Sequence, residues 1–183
     1  MLKNVKNRAI LAVLVIAMLG LTSCDNRTDR QKAEDYVQQA LKNTGHDDID
    51  QKINLYTKAI KADPTFPAAY DLRASCYNCL CNYGLALDDM NKVIELNPAE
   101  PRHFFDRGDI YASMEDYDNA IADYSKTLAL GLQHPLVYEC RAEAYEAIGK
   151  TDLAQADREK AIELRQIKEE QATKPANAPD AEE

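Results

Sequence analysis

Three cysteines lie close together near the middle of the chain, where thiols could form a disulfide, bind a metal ion or exchange disulfides with another protein. Cys76, Cys79 and Cys81 form a C-x₂-C-x-C run, and Cys140 follows much later. Runs of this kind occur in redox and metal-binding proteins. The three histidines are scattered and add no ligand spacing to the run. The alternatives are therefore a disulfide within the first three cysteines, free thiols, or a metal or redox function.

A second candidate for chemistry is the segment Gly149-Lys150-Thr151, which is similar to the end of a phosphate-binding loop. The first glycine that such a loop requires is replaced by Ala144 in this chain. The sequence also contains no serine-nucleophile motif and no zinc-hydrolase motif. We therefore predict a protein that is not an enzyme and has no cofactor, with this segment in a turn.

The N-terminal segment has the pattern of a bacterial lipoprotein signal. Three basic residues precede an unbroken apolar run from 9 to 21, which is too short to span a membrane as a helix. The run ends in Leu-Thr-Ser followed by Cys24, which resembles the lipobox. This resemblance implies removal of residues 1–23, lipidation of Cys24 and a location in the bacterial cell envelope, on the periplasmic face of the inner or outer membrane. The alternative is an ordinary secretory signal in which the cysteine occurs by chance.

The charge of the chain argues against two classes of partner. Loss of residues 1–23 would reduce 22 basic residues to 19 against 31 acidic residues, so the formal net charge would change from −9 to −12. Such a chain is repelled by nucleic acid and by anionic lipid headgroups. Residues 24–32 are expected to form a tether. Residues 171–183, rich in alanine, proline and glutamate, are expected to form a disordered acidic tail.

A 34-residue period runs through the rest of the chain. It is carried by prolines, tyrosines and small residues at fixed positions, and a chance origin for so many positions in register is negligible. Each period contains two apolar stripes with helical spacing, and small residues lie where the two helices would cross. The residues in register include Pro67, Pro101, Pro135, Tyr77, Tyr111, Tyr145, Ala40, Ala74, Gly108 and Ala142.

This pattern resembles the tetratricopeptide repeat over about residues 33–166. The resemblance implies an all-α, right-handed superhelical solenoid of four helix–turn–helix repeats, each of which buries its stripes by stacking on its neighbours. Asn82 and Asp116 lie at turns and are expected to cap the second helix of a repeat. The repeats are a degenerate copy at 33–66, then 67–100, 101–134, and 135–170 with an extended capping helix.

Positions within a repeat are counted from its first residue, which is residue 33, 67, 101 or 135. Three repeats have an arginine at position 7, where the family usually has an apolar residue, and an aspartate at position 23. These residues are Arg73, Arg107 and Arg141, with Asp89, Asp123 and Asp157. Repeat 1 lacks both residues. Their joint presence and absence predict structural ion pairs, formed either between the two helices of a repeat or between adjacent repeats. The alternative is solvated charge on the rim.

The resemblance also implies that the first helix of each repeat lines a concave groove in which a partner binds. We hypothesise that a basic or mixed peptide docks there, anchored by an apolar side chain near Phe105 and steered by carboxylates. The alternative is a solvated acidic face, and the residue types disfavour capture of a C-terminal carboxylate. The candidate partner-binding residues are Val37, Leu41, Asp71, Ser75, Asn78, Phe105, Asp109, Glu139, Glu143 and Glu146.

The predicted function is that of a non-enzymatic, membrane-anchored scaffold of the cell envelope, which binds a protein or peptide segment in the groove. The rival hypothesis is a thiol–disulfide or metal-handling accessory protein that uses Cys76, Cys79 and Cys81. Register disfavours this rival, because it places Cys76 at a packed position, Cys79 on the concave face and Cys81 in a turn. Self-association into a structural module is a third, weaker hypothesis.

Overall fold

The computed structural model describes residues 28–42 and 48–173, which form eight α-helices and no β-strand. Consecutive helices form four pairs, and each pair corresponds to one predicted repeat. The predicted signal peptide, Cys24 and residues 174–183 lie outside the described residues. The helices are α1 (Asp29–Lys42), α2 (Ile49–Ala62), α3 (Pro67–Cys79), α4 (Tyr83–Leu96), α5 (Pro101–Ser113), α6 (Tyr117–Ala129), α7 (Pro135–Ala147) and α8 (Thr151–Thr173).

The helices begin where their local sequence favours it. The helices α3, α5 and α7 each begin at a proline, whose fixed φ suits the first turn and whose missing N–H has no partner there. Asp116 caps α6 as expected, since its carboxylate accepts a hydrogen bond from the Asn119 N–H at 3.4 Å. The corresponding prediction for Asn82 is wrong, because its side chain makes no capping hydrogen bond. Its backbone carbonyl accepts the first bond of α4 from the Ala86 N–H at 3.1 Å.

The turn inside each of the last three repeats is closed by a residue in the left-handed region. The φ angles are 57° at Cys81, 60° at Glu115 and 75° at Gly149. In each turn the backbone N–H of the residue that follows donates a hydrogen bond to the backbone carbonyl five residues before it. The three N···O distances are 2.8, 2.9 and 2.8 Å respectively. This bond satisfies an otherwise unpaired carbonyl at the end of the first helix. Only glycine adopts such a φ without strain, so the side chains of Cys81 and Glu115 cost stability.

The core is a row of three apolar clusters, one at each junction between neighbouring repeats. Each cluster combines residues of the second helix of one repeat with residues of the first helix of the next, so no repeat buries its apolar stripes alone. Representative pairs across the three junctions are Tyr56 and Cys76, Met90 and Ile110, and Tyr124 and Ala144.

Close packing within repeat 3 requires a small residue at position 8. A Cβ added at Gly108 would lie 2.8 Å from Cε1 of Tyr124. Tyr124 is 1% exposed, and its hydroxyl donates a hydrogen bond to Oδ1 of Asp109 at 2.8 Å, which holds the ring in place. The two helices of the repeat therefore cross with glycine at the contact.

The last helix is longer than its equivalents in the other repeats. It has 23 residues and ends at Thr173, three residues beyond the predicted end of repeat 4, so the segment expected to be disordered begins as helix. Its second half is rich in charged residues. Within the ranges that the structure describes, no helix combines the length and the apolar character needed to cross a bilayer.

Candidate binding groove

The expected arginine–aspartate pairs link the two helices of one repeat. Arg107 donates from Nε to Oδ2 of Asp123 at 2.7 Å and from Nη2 to Oδ1 at 2.8 Å, so the pair is bidentate. The same geometry, at 2.7–2.8 Å, joins Arg73 to Asp89 and Arg141 to Asp157. The three aspartates are only 5–6% exposed, which rules out solvated charge on the rim.

The remaining terminal nitrogen of each arginine reaches the preceding repeat. It donates to a side-chain oxygen at position 25 of that repeat, a contact that sequence reasoning did not identify. We call the arginine, its aspartate and this third residue the latch, since together they join two repeats. The acceptors are Thr57 Oγ1 for Arg73 at 2.9 Å, Asn91 Oδ1 for Arg107 at 2.7 Å and Ser125 Oγ for Arg141 at 3.0 Å.

Each latch arginine also lies between two aromatic rings of its own helix. The guanidinium carbon of Arg107 is 5.7 Å from the centroid of Phe104 and 5.9 Å from that of Tyr111. A cation at this distance from a ring face is stabilised by the ring quadrupole. The hydrogen bonds to Asp123 raise the pKa of Arg107 and so favour the charged guanidinium. The latches are therefore part of the scaffold and are not available to a ligand.

A continuous groove runs along the first helices of repeats 2 to 4. Its first compartment, of about 230 Å³, lies between α3 and α5. A second compartment of about 570 Å³ shares Asn78 and Asp109 with the first and continues to Glu143 of α7. The groove thus brings together five predicted residues that are far apart in sequence. These are Asp71, Ser75, Asn78, Asp109 and Glu143.

We call the first part of the groove the acidic compartment, because Asp71, Asp106 and Asp109 line it together. The pKa of Asp106 is raised to about 6, chiefly by burial and in smaller part by the neighbouring carboxylates of Asp71 and Asp109, against the opposing charges of Arg102 and His103. Arg102 lies 3.5 Å from Asp106 and opposes this shift, although its side chain is 75% exposed and its charge is therefore partly screened by solvent. Among the described residues, it is the one basic side chain that lines this compartment.

The other two carboxyls of the compartment are also destabilised as anions. Burial raises the pKa of Asp71, against weaker opposing effects of His103 and Arg102. Burial likewise raises the pKa of Asp109, although the hydrogen bond from Tyr124 lowers it in part. Three carboxylates in one concavity with little positive charge create a negative potential that a cation would relieve.

Two predicted groove residues are wholly or partly buried against the core. Val37 is 6% exposed and lies in the cluster between repeats 1 and 2, so its assignment to the binding face is wrong. Phe105 is half-buried against the cluster between repeats 3 and 4, with its ring centroid 5.7 Å from that of Tyr124. Phe105 lines neither compartment of the groove, and its role beside an apolar side chain of a partner stays a prediction.

The predicted acidic half of the groove is smaller than expected. Glu139 forms an ion pair with Arg165, and Glu146 forms one with Arg158, so α8 neutralises both. Leu41 is 51% exposed, but it lies on α1 and lines none of the groove compartments described above. The carboxylates that stay available in the groove are those of the acidic compartment and Glu143.

Two of the cysteines, Cys76 and Cys140, do not have the environment of reactive thiols. Burial raises the pKa of Cys76, and it raises that of Cys140 to about 12, with the charge of Asp109 adding to the effect. Catalytic thiols have lowered pKa values, so these two would be poor nucleophiles. Cys79 and Cys81 are exposed. The four cysteines among the described residues are free thiols, and a disulfide among Cys76, Cys79 and Cys81 stays a prediction. In the described ranges, no three His, Cys, Asp or Glu side chains are grouped to hold a metal ion.

Sequence reasoning missed Asp106, which has the most strongly raised pKa of the three groove aspartates. Its position could have been found from helical spacing, because Asp106 follows Arg102 by four residues and precedes Asp109 by three. Residues at these spacings share one face of a helix. The degree of burial that raises its pKa depends on how closely α3 approaches α5, which sequence spacing does not specify.

Comparisons with known proteins agree with this architecture. A model of the tetratricopeptide repeat matches residues 104–130. The solved structure of MamA is 25% identical with a TM-score of 0.71, covering 75% of this chain and 81% of that chain. MamA from Desulfovibrio magneticus RS-1 is 18% identical with a TM-score of 0.68, covering 74% and 76%.

A third similar structure is the first TPR domain of Spaghetti (RPAP3) bound to the HSP90 peptide SRMEEVD. It is 26% identical with a TM-score of 0.62, covering 67% of this chain and 98% of that one. No curated protein matches the sequence. The predicted all-α solenoid of four helix–turn–helix repeats is confirmed, and this chain has the fold of a tetratricopeptide-repeat protein-interaction module.

Proposed function

We propose that this protein is a non-enzymatic scaffold, anchored by lipid at Cys24 in the bacterial cell envelope, that binds a basic segment of a partner protein in its concave groove. The observation that carries this proposal is the acidic compartment. Asp71, Asp106 and Asp109 are held together there on a rigid framework, although their mutual repulsion and their burial both oppose it.

A lysine or arginine side chain of a partner would relieve this repulsion. Charge-assisted hydrogen bonds to carboxylates contribute more than neutral ones, and they gain strength where water is excluded. The compartment of about 230 Å³ has room for one such side chain beside exposed Ser75. The larger second compartment, which ends at Glu143, would hold the flanking residues of the segment. Cationic side chains would then be bound along the groove, with the latches keeping its width constant.

The RPAP3 domain binds SRMEEVD, a peptide with three acidic residues. That domain supports peptide binding as a use of this fold, but the charge of the present groove favours the opposite ligand. An acidic peptide ending in a free carboxylate would place like charges beside Asp71 and Asp109, which is destabilising. We therefore propose a partner segment of basic or mixed charge.

The membrane anchor rests on the N-terminal pattern, which ends in Cys24. Several acyl chains on one cysteine would anchor the chain firmly, at about 0.8 kcal/mol for each buried CH₂ group. The acidic solenoid would then stand away from anionic headgroups, with the groove open to other envelope proteins. Metabolic labelling with a fatty-acid analogue should mark the wild-type chain and not Cys24→Ala.

The groove is tested by photo-crosslinking in the native host from a photoreactive residue at Ser75, which is exposed within the acidic compartment. The same residue placed at Ala122, exposed on α6 and outside the groove, serves as the control. We expect a partner captured from position 75 and not from 122. Capture should be lost in an Asp71→Asn, Asp106→Asn double variant and kept in Asp88→Asn, which removes an exposed acid outside the groove. Capture that is insensitive to the double variant would refute the proposed basic ligand.

A further inference from the structure

The last repeat leaves open the surface on which another helix pair would stack. In repeat 3 the equivalent surface includes Tyr124 and Leu128 of α6, and α7 covers it, so that Leu128 is 8% exposed. In repeat 4 the residues at the same two positions are Arg158 and Ile162 of α8. Ile162 is 52% exposed, because the described chain provides no helix to cover it.

This open surface is a shallow cavity of about 470 Å³ between α7 and α8, which we call the end face. Apolar groups flank it, since Leu136 is 46% exposed and Ile162 is 52% exposed. Arg158 and Arg165 also line the end face, and both form ion pairs with glutamates of α7. These charges hydrate the surface when it is empty, so a ligand that covers it would bind reversibly.

The internal junctions show what the covering helix must supply. At each junction the first helix of the following repeat inserts an apolar residue from position 10 into the cluster of the preceding repeat. These residues are Cys76, Ile110 and Ala144, which are 9%, 3% and 2% exposed. The same helix carries the latch arginine three residues earlier. In α7, Val137 adds a second buried apolar residue four residues before Arg141.

The receiving side of a latch is also present at the end face. Position 25 of repeat 4 is Glu159, which corresponds to Thr57, Asn91 and Ser125 in the other repeats. Glu159 is exposed and accepts a hydrogen bond from Gln155 at 2.9 Å. A carboxylate is a stronger acceptor for arginine than a hydroxyl or an amide. The end face therefore combines an apolar surface with a hydrogen-bond acceptor for arginine, and both lie at the repeat positions that serve these roles at the internal junctions.

We propose that the end face binds an amphipathic helix of a partner protein. That helix carries two apolar residues that are seven positions apart. It also carries an arginine four positions after the first apolar residue, and this arginine bonds to Glu159. This inference rests on the equivalence between the end face and the surfaces that are buried at the three internal junctions. It does not depend on whether the groove binds a partner. A second copy of this chain stacked head to tail does not fit this pattern. Its α1 would present Asp35 and Lys42 where the two apolar residues are needed, and Gln39 where the arginine is needed.

The probe for this proposal is a labelled peptide that copies α7, residues 135–147, held helical by a lactam bridge on its outward face. This helix already docks on the equivalent surface of repeat 3, so it has the required pattern. Its binding to the full chain is measured by fluorescence anisotropy. We expect saturable binding that Ile162→Asp weakens at least tenfold. The matched control is Leu85→Asp, because Leu85 is 49% exposed on α4, and this change should leave binding unaltered.

A charge exchange tests the latch separately from apolar contact. Glu159→Arg in the protein should weaken its binding of the copied peptide. A peptide with glutamate in place of Arg141 should bind the Glu159→Arg protein more tightly than the copied peptide does. Absent binding, or binding that Ile162→Asp leaves unchanged, overturns the proposal. So does a chain that sediments as a dimer and becomes monomeric in Ile162→Asp, since a second copy would then cover the end face. Glu143 and Cys140 line both the groove and the end face, whereas Asp71 lines the groove alone. Asp71→Asn should therefore not affect binding of the peptide, which separates this test from that of the proposed function.

Discussion

Replacement of Asp106 by asparagine should make the protein more stable at neutral pH. Asp106 is half-buried in the acidic compartment, and its pKa is raised to about 6, chiefly by burial. A carboxyl whose pKa is higher in the folded chain than in the unfolded chain is protonated more readily when folded. Its ionised form therefore destabilises the fold above pH 6, and the penalty disappears as the pH falls towards 4. Asparagine occupies nearly the same volume without the charge.

The size of the effect follows from the pKa. The value of about 6 is about two units above the ordinary value of 3.8, and each unit corresponds to about 1.4 kcal/mol. The ionised carboxylate thus costs about 3 kcal/mol at most. The side chain is 27% exposed, and the variant also loses the contact with Arg102, so the expected gain is smaller. We expect Asp106→Asn to raise the free energy of unfolding by about 1 to 2 kcal/mol at pH 7.5.

Urea unfolding followed by circular dichroism at pH 7.5 and pH 4.5 measures this effect. The gain should be present at pH 7.5 and fall to less than half at pH 4.5, because Asp106 of the wild type is then largely protonated. Asp88→Asn, which removes an exposed acid on α4, is the control and should change stability by no more than about 0.5 kcal/mol at either pH. A variant that is no more stable than the wild type at pH 7.5, or equally stabilised at both pH values, would refute the reasoning.

Three further changes test the scaffold by thermal or urea unfolding. Arg107→Met should destabilise the fold by about 3 kcal/mol, because it leaves the carboxylate of Asp123 buried without a partner, and adding Asp123→Leu should recover part of the loss. Gly108→Ala should destabilise by about 1 kcal/mol, because the new Cβ overlaps Tyr124 and this cost exceeds the helix-propensity gain of about 1 kcal/mol. Glu115→Gly should stabilise by about 1 kcal/mol, because its φ of 60° suits glycine. A sign opposite to the one stated contradicts the corresponding argument.

The sequence predicted those features that depend on spacing along one helix or between equivalent repeats. The 34-residue period predicted the helix pairs, and it predicted that Arg107 would pair with Asp123. It did not predict that Arg107 would also bond to Asn91, because that contact depends on the rotation of one repeat against the next. Phe105 is partly buried against the cluster between repeats 3 and 4, which a projection of its own helix does not show. Packing between repeats therefore decided which residues of the first helix reach the groove, and a single-helix projection placed Val37 there wrongly.

Comparison of equivalent positions separates residues that the fold requires from residues that serve another purpose. The latch arginines recur at position 7 because each makes the same contacts, so their presence is explained by stability alone. Position 6 differs, since it is Leu72 in repeat 2, Asp106 in repeat 3 and Cys140 in repeat 4. Two neutral residues thus suit the same place in the solenoid, whereas Asp106 lowers stability there. A charge that costs stability where neutral residues fit is typical of a binding site, and this contrast supports the proposal that the acidic compartment binds a cationic side chain.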